Sequence, residues 1–316
     1  MNKLYFIKNL EIFQGEKYLN NNKNYFEGWY FKNSNGEESI SFIPGINIDE
    51  KSKNAFIQVI TNNSSYFINY NILDFKFNTN PFFIKIGKNF FSKEKIHIEI
   101  EDKSQNLKIY GNLKYSNNKN IKTNFINPNI MGPFSYIPFM ECNHAILSMK
   151  NNINGTIAIN NKKINFNNGI GYIEKDWGCS FPKSYIWCQG NDFENQNASF
   201  MLSIANIPFK MFEFTGLICV LIIDNKEYKF TTYNNSKIIK YKVEPNFIDI
   251  IIKKSSYLLE IKSQNDEANK LTAPVKGKMN KEILESISAK IKITLMKNNN
   301  IIFSDISKNS GLEIVL

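Results

Sequence analysis

Arginine is missing from this chain. All 39 basic residues are lysine, set against 29 acidic ones for a formal charge of +10. Paired recognition of phosphates and base edges relies on the guanidinium fork. The lysines are also scattered rather than gathered in a run, so the excess charge speaks for solubility and against nucleic acid as a partner. Histidine is nearly missing too, with only His97 and His144 present. The four cysteines, Cys142, Cys179, Cys188 and Cys219, include no C-x-x-C pair. A zinc site needs about four such ligands, so no metal is expected. His97 alternates with Ile96 and Ile98 and is expected at the surface. No window approaches the roughly 18 apolar residues of a spanning helix. The N-terminal run through Tyr18 lacks the unbroken apolar core of a secretion signal, so the expected place is the cytoplasm, with reduced thiols. Gly169-x-Gly171 lacks the following Gly and Lys of a phosphate loop.

Aromatic residues are plentiful, at 14% of the chain with 26 Phe and 15 Tyr. They fall mostly in short period-two runs broken by turn signals, beginning with YFEGWYFK at Tyr25–Lys32. Such runs predict strands. Asn35-Gly36 and Asn154-Gly155 lie between alternating runs and predict hairpins. The stretch Phe125–Met140 carries three prolines and reads as irregular, with buried aromatics. After Pro182 the strand pattern restarts. Asn280–Ser288 puts Ile283, Leu284 and Ile287 on one helical face and predicts a short helix. Many short strands, roughly ten on either side of Pro182, predict an all-β chain of two barrels with eight to ten strands each.

The stretch Gly169–Asn191, GIGYIEKDWGCSFPKSYIWCQGN, holds Trp177 and Trp187 of the three tryptophans and Cys179 and Cys188 of the four cysteines. In an extended backbone Tyr172, Glu174 and Asp176 share one face, and Ile173, Lys175 and Trp177 the other. Two carboxylates on one face repel unless one keeps a proton. That makes Glu174 and Asp176 candidates for acid chemistry, or else solvated residues held by lysines. Tyr185, Trp187 and Gln189 share a strand face, as do Glu27, Trp29 and Phe31. Glu141 and His144 flank a turn and could form an acid–base pair or a structural hydrogen bond.

FEGWYF near the start, PFMEC at Pro138–Cys142, GYIEKDWGCSFP at Gly171–Pro182, WCQGN, LTAP at Leu271–Pro274 and the closing SGLEIV resemble, in order, the motifs of the tocopherol cyclase family. Asp176 departs from the Asn usual in the plant and cyanobacterial members. More distantly, the Asp176-Trp177-Gly178 region resembles the carotenoid 1,2-hydratase family of tandem lipocalin-like proteins. The resemblance implies two lipocalin-like antiparallel barrels in tandem with little helix, residues 1–180 ending in EKDWG and residues 181–316 following. It also implies a cofactor-free, acid-catalysed cyclisation in which a phenol oxygen adds across an alkene of a prenyl tail. Glu174, tuned by Asp176, is then the expected acid. Glu27, Trp29, Tyr30, Glu141, His144, Trp177, Tyr185, Trp187, Gln189 and Asn191 are expected to line a cavity for an apolar, prenylated ligand, collected by peripheral contact with a membrane. The rival reading is a cytoplasmic carrier that holds such a ligand unchanged.

Overall fold

The computed structural model describes residues 9–21, 23–138, 140–209, 212–264 and 268–316. Phe139 of the PFMEC motif and the N-terminal residues 1–8 lie outside them. The chain divides into two compact units. One holds residues up to Phe181 together with Leu271–Glu282, and the other holds Pro182–Lys270 and Ile283–Leu316. The LTAP segment, expected in the second barrel, therefore packs with the first. There Gln58 Nε2 donates to the Thr272 carbonyl at 2.9 Å, and the Thr272 N–H donates to Gln58 Oε1 at 2.9 Å.

Among the described residues the first unit carries twelve antiparallel strands. They are β1 (Tyr25–Ser34), β2 (Ser39–Ile48), β3 (Lys53–Thr61), β4 (Ser65–Asn71), β5 (Phe75–Thr79), β6 (Phe82–Ile86), β7 (Asn89–Phe91), β8 (Lys95–Asp102), β9 (Leu107–Lys119), β10 (Cys142–Ile159), β11 (Lys162–Asn165) and β12 (Gly169–Gly178). Their order is β4-β3-β2-β1-β12-β10-β9-β8-β7-β6-β5, with β11 on β10. The two ends of that order, β4 and β5, follow each other in the chain through the 3-10 turn Ile72–Asp74. The sheet therefore curls round on itself as a barrel.

The second sheet is built from β13 (Tyr185–Gly190), β14 (Ser199–Phe209), β15 (Phe212–Ile223), β16 (Lys226–Thr231), β17 (Lys237–Glu244), β18 (Phe247–Lys254), β19 (Tyr257–Gln264), β20 (Asn269–Val275), β21 (Lys278–Lys297) and β22 (Asn300–Val315). Its order, β16-β15-β14-β13-β22-β21-β19-β18-β17 with β20 on β21, repeats the logic of the first. Its first strand again pairs with its last, and its end strands β16 and β17 are again joined by a 3-10 turn, Thr232–Asn234. Among the described residues helix is confined to one turn, α1 (Glu16–Leu19), and the short 3-10 segments.

Alternation fills both interiors. Trp29, Phe31, Phe42, Ile98, Ile109 and Ile173 lie in the first core, and Ile186, Cys188, Leu202, Cys219, Ile250 and Ile291 in the second. Burying one such large side chain contributes roughly 1.5–3 kcal/mol.

Three sequence expectations give way here. The helix at Asn280–Ser288 is part of the strand β21, in which Ile283 and Ile287 are buried while Leu284 is exposed. Ile283, Glu285 and Ile287 are buried at alternate positions, which is the period of a strand. Asn154-Gly155 makes no hairpin. β10 runs through it, and at Gly155 a Cβ would lie 2.1 Å from the Asn112 carbonyl oxygen, so the glycine serves close strand approach. Phe125, expected to be buried, stands exposed.

Candidate active site

β12 separates two chemistries by face. Glu174 sits opposite Tyr30 of β1 and Ile146 of β10, and Asp176 opposite Gly28 and His144. Lys175, between them in sequence, points the other way, into the barrel.

The inward set is a clamp. Lys175 and Glu27 are fully buried and meet at 2.5 Å. Tyr25 O–H donates to Glu27 Oε2 at 2.6 Å, and the Gln14 N–H reaches both carboxylate oxygens at 2.9 and 3.0 Å. The ammonium also donates to the carbonyls of Leu10 and Ile12, at 3.1 and 2.6 Å. It lies 5.1 Å from the ring of Trp29 and 4.8 Å from that of Trp177. The Trp29 indole N–H donates to the Glu11 carbonyl at 2.8 Å. Burial pushes the Lys175 ammonium down from its usual range, and Glu27 opposes that push. Ion pair, indoles and hydroxyl together tie the segment Leu10–Gln14 to the barrel. Glu27 and Trp29, expected to contact ligand, serve this clamp and lie on the face opposite Glu174.

The outward set is a relay. His144 Nδ1 lies 2.9 Å from Asp176 Oδ1, and His144 Nε2 lies 3.6 Å from Glu174 Oε2. Tyr172 O–H donates to the same Glu174 oxygen at 2.5 Å. The Tyr30 ring meets that of Tyr172 edge-on with centroids 6.4 Å apart, and Ser41 O–H donates to Tyr30 at 3.0 Å. Tyr172 is fully buried and Glu174 nearly so. Burial alone would push the His144 imidazole down, but Asp176 and then Glu174 carry it up to about 9. Burial, then the Glu174 charge, drives the Tyr172 phenol well above its usual range, so it stays a donor. At neutral pH the proton expected between two carboxyls therefore rides on an imidazole held between them. Among the described residues His144 Nε2 is buried without a hydrogen-bond partner, which leaves its N–H available for transfer.

The donor atoms of His144, Glu174 and Asp176 lie within 4.8 Å of one another, close enough to enclose a cation. The short Nδ1–Oδ1 contact is that of a hydrogen bond, with Asp176 orienting the ring. His144 finds its partners on β12 rather than in Glu141. The Glu141 carbonyl accepts from the N–H groups of Cys179 and Ser180, at 2.8 and 3.3 Å. At Gly178 a Cβ would come 2.0 Å from that carbonyl oxygen, which fixes glycine after Trp177.

Beside the clamp lies a cavity of about 840 Å³, walled by Tyr18, Tyr25, Ile137, Met140, Glu141 and Trp177 among others. Its walls also carry the polar side chains Gln14, Lys17, Asn129 and Asn143, and of the residues expected to line a cavity it is bordered by Glu141 and Trp177.

In the second unit Tyr185, Trp187 and Gln189 alternate with the core residues Ile186 and Cys188, and all of them are buried. Tyr185 O–H donates to Glu313 Oε2 at 2.6 Å, and Asn191 is buried just beyond the strand. Sequence reasoning passed over Tyr172, Lys175, Glu285 and Glu313. For Lys175 the signal was available, since it alternates with Ile173 and Trp177 on a face that also had to satisfy Glu27.

Similar folds occur among solved structures. CghA in complex with Sch210972 superposes with a TM-score of 0.58 at 7% identity, covering 93% of this chain and 89% of that one. Kievitone hydratase from Nectria haematococca gives 0.52 at 10% identity, with coverage of 93% and 89%. An AttH-type protein from Nitrosomonas europaea gives 0.50 at 10% identity, covering 92% and 93%. These likenesses define a protein of the tandem, lipocalin-like barrel class. The Tocopherol cyclase-like family matches residues 121–316, and the chain belongs to that family.

Proposed function

We propose that the protein is an acid-catalysed, cofactor-independent cyclase acting on a prenylated phenol or hydroquinone. The observation that carries this reading is the buried Tyr172–Glu174–His144–Asp176 relay, set on the strand that bears the family's W-G motif. An alkene is a weak base, so its protonation demands a dry acid. In the proposed cycle the His144 proton passes from Nε2 through Glu174 to one alkene carbon and leaves a tertiary cation on the other. The phenol oxygen then bonds to that cation and releases its own proton. That proton returns through Glu174 to His144 Nε2, so the relay ends as it began and the substrate is only rearranged. Asp176 holds the imidazole in place and keeps it charged. The likeness in fold to a kievitone hydratase supports an enzyme reading by analogy of fold alone.

The test is incubation of the purified protein with a prenylated hydroquinone, followed by mass and absorbance analysis of the extract. A product of unchanged mass with chroman absorbance is expected from wild type and not from Glu174→Gln. Recovery of unaltered quinol from both, with binding retained, would favour a carrier, a reading to which the cavity at Trp177 also lends itself.

A further inference from the structure

The strand pair β10–β12 serves a second surface besides the relay. His144 pairs with Asp176, and one step along Asn143 pairs with Trp177. Successive pairs face opposite sides of a sheet. Asn143 and Trp177 accordingly border the cavity of about 840 Å³, while Tyr172, Glu174, His144 and Asp176 do not. Another wall comes from the segment that Lys175 and Glu27 tie down, which brings Gln14 and Tyr18. Three half-buried polar side chains in this cavity are not used by the fold. Gln14 engages Glu27 through its backbone N–H, and Glu141 engages Cys179 and Ser180 through its carbonyl. Among the described residues the side-chain amides of Gln14 and Asn24 and the Glu141 carboxylate make no hydrogen bond or ion pair of their own.

We infer that this cavity is a binding site for a neutral saccharide. An ionised carboxylate accepts hydrogen bonds without donating any, and a carboxamide does both. Sugar hydroxyls match that set, giving to Glu141 and exchanging with Gln14 and Asn24. The indole of Trp177 supplies a flat wall for the C–H face of a sugar ring. Two carboxylates, Glu16 and Glu141, line the cavity against one ammonium, Lys17, and the Lys175 charge beside it is already met by Glu27. That balance turns away an anion. A quaternary ammonium would need aromatic faces. Here Lys175 already lies 4.8 Å from the Trp177 ring and Lys17 4.9 Å from that of Tyr18. The volume falls within the range of small-molecule sites, roughly 300–1,000 Å³. The inference does not rest on the cyclisation reading, whose relay occupies the other face of these strands.

The experiment is calorimetric titration of the full-length protein with the methyl glycosides of glucose, galactose, mannose and N-acetylglucosamine, and with glucuronate and choline as charged contrasts. Wild type should bind at least one of the glycosides with a millimolar or tighter Kd, and neither glucuronate nor choline. Glu141→Leu, which keeps the backbone carbonyl, should weaken that binding by at least about tenfold, as loss of hydrogen bonds to a charged group does. Gln14→Leu, which keeps the backbone N–H that Glu27 accepts, should weaken it by a smaller factor. Thermal melts of both variants should match wild type, because neither side chain is used by the fold. Glu174→Gln should bind the glycoside as wild type does, so this site stands whichever way the cyclase test falls. No binding of any glycoside by wild type would overturn the proposal, as would equal affinity for choline or glucuronate, or unchanged affinity in both variants. Failure of both variants to fold would show that the fold itself uses these side chains, with the same consequence. Displacement of the bound glycoside by a prenylated hydroquinone would assign the cavity to the apolar ligand instead.

Discussion

Raising the pH from 6 to 10 should strip the relay of its proton, and the cost follows from the geometry. His144 is held at about 9 in the folded protein against 6.5 for a free side chain. Between those values the folded chain binds a proton that the unfolded chain does not. The resulting stabilisation is complete below about 6.5 and disappears as pH climbs through about 9. Its size is roughly 3 kcal/mol, since each unit of pKa is worth about 1.4 kcal/mol. Only 12% of the His144 side chain is exposed, so solvent screening takes little from that figure. The assay is urea unfolding of wild type and His144→Gln at intervals from pH 6 to pH 10. Subtracting the variant removes the background from lysines and tyrosines that titrate in the same range. The difference should fall by up to about 1.4 kcal/mol per pH unit above neutrality and then level off. With two histidines in the chain, imidazole NMR can follow His144 directly. A His144 resonance that titrates at or below 6.5, or a stability difference that does not vary with pH, would refute the argument that two carboxylates outweigh burial here.

Glu174→Gln should lower turnover by about 10²–10⁴-fold with ligand affinity nearly unchanged, measured as a kcat loss in the cyclisation assay. Asp176→Asn should be milder and should move the alkaline limb of the pH–rate profile to lower pH, because Asp176 is the larger of the two charges that raise His144; a dead Asp176→Asn beside an active Glu174→Gln would reverse the assignment. Lys175→Met should destabilise by about 3–5 kcal/mol by stranding the Glu27 charge in the first barrel, and the double variant with Glu27→Gln should recover much of that in denaturant melts. Gly178→Ala should cost more than about 1 kcal/mol by the same measurement, since its Cβ would meet the Glu141 carbonyl oxygen at 2.0 Å.

Period-two alternation carries information about faces, and it made the strands, the two cores and the separation of Glu174 and Asp176 from Lys175 readable from the chain alone. It held at β1 and β12, where every other residue enters the barrel. It was misread at β21, where Ile283 and Ile287 satisfy a helical spacing as well as a strand's, and only pairing with β22 decides between them. Asn154-Gly155 was misread for a related reason. A glycine that opens a turn and a glycine that lets two backbones approach look alike until the neighbouring strand is in place.

What the sequence could not supply is which faces meet. Glu27 and Lys175 are separated by most of the first barrel's chain, and so are Tyr30 and Glu174; β1 pairs with β12 because a closed sheet must join its first strand to its last. The same closure sets β10 beside β12 and brings His144 between two carboxylates that the sequence shows only as neighbours of each other. Residue types and local periodicity are properties of a few consecutive positions, and the chain states them directly. The charge on His144 depends on side chains thirty or more positions away, and only the tertiary structure sets that distance in ångströms.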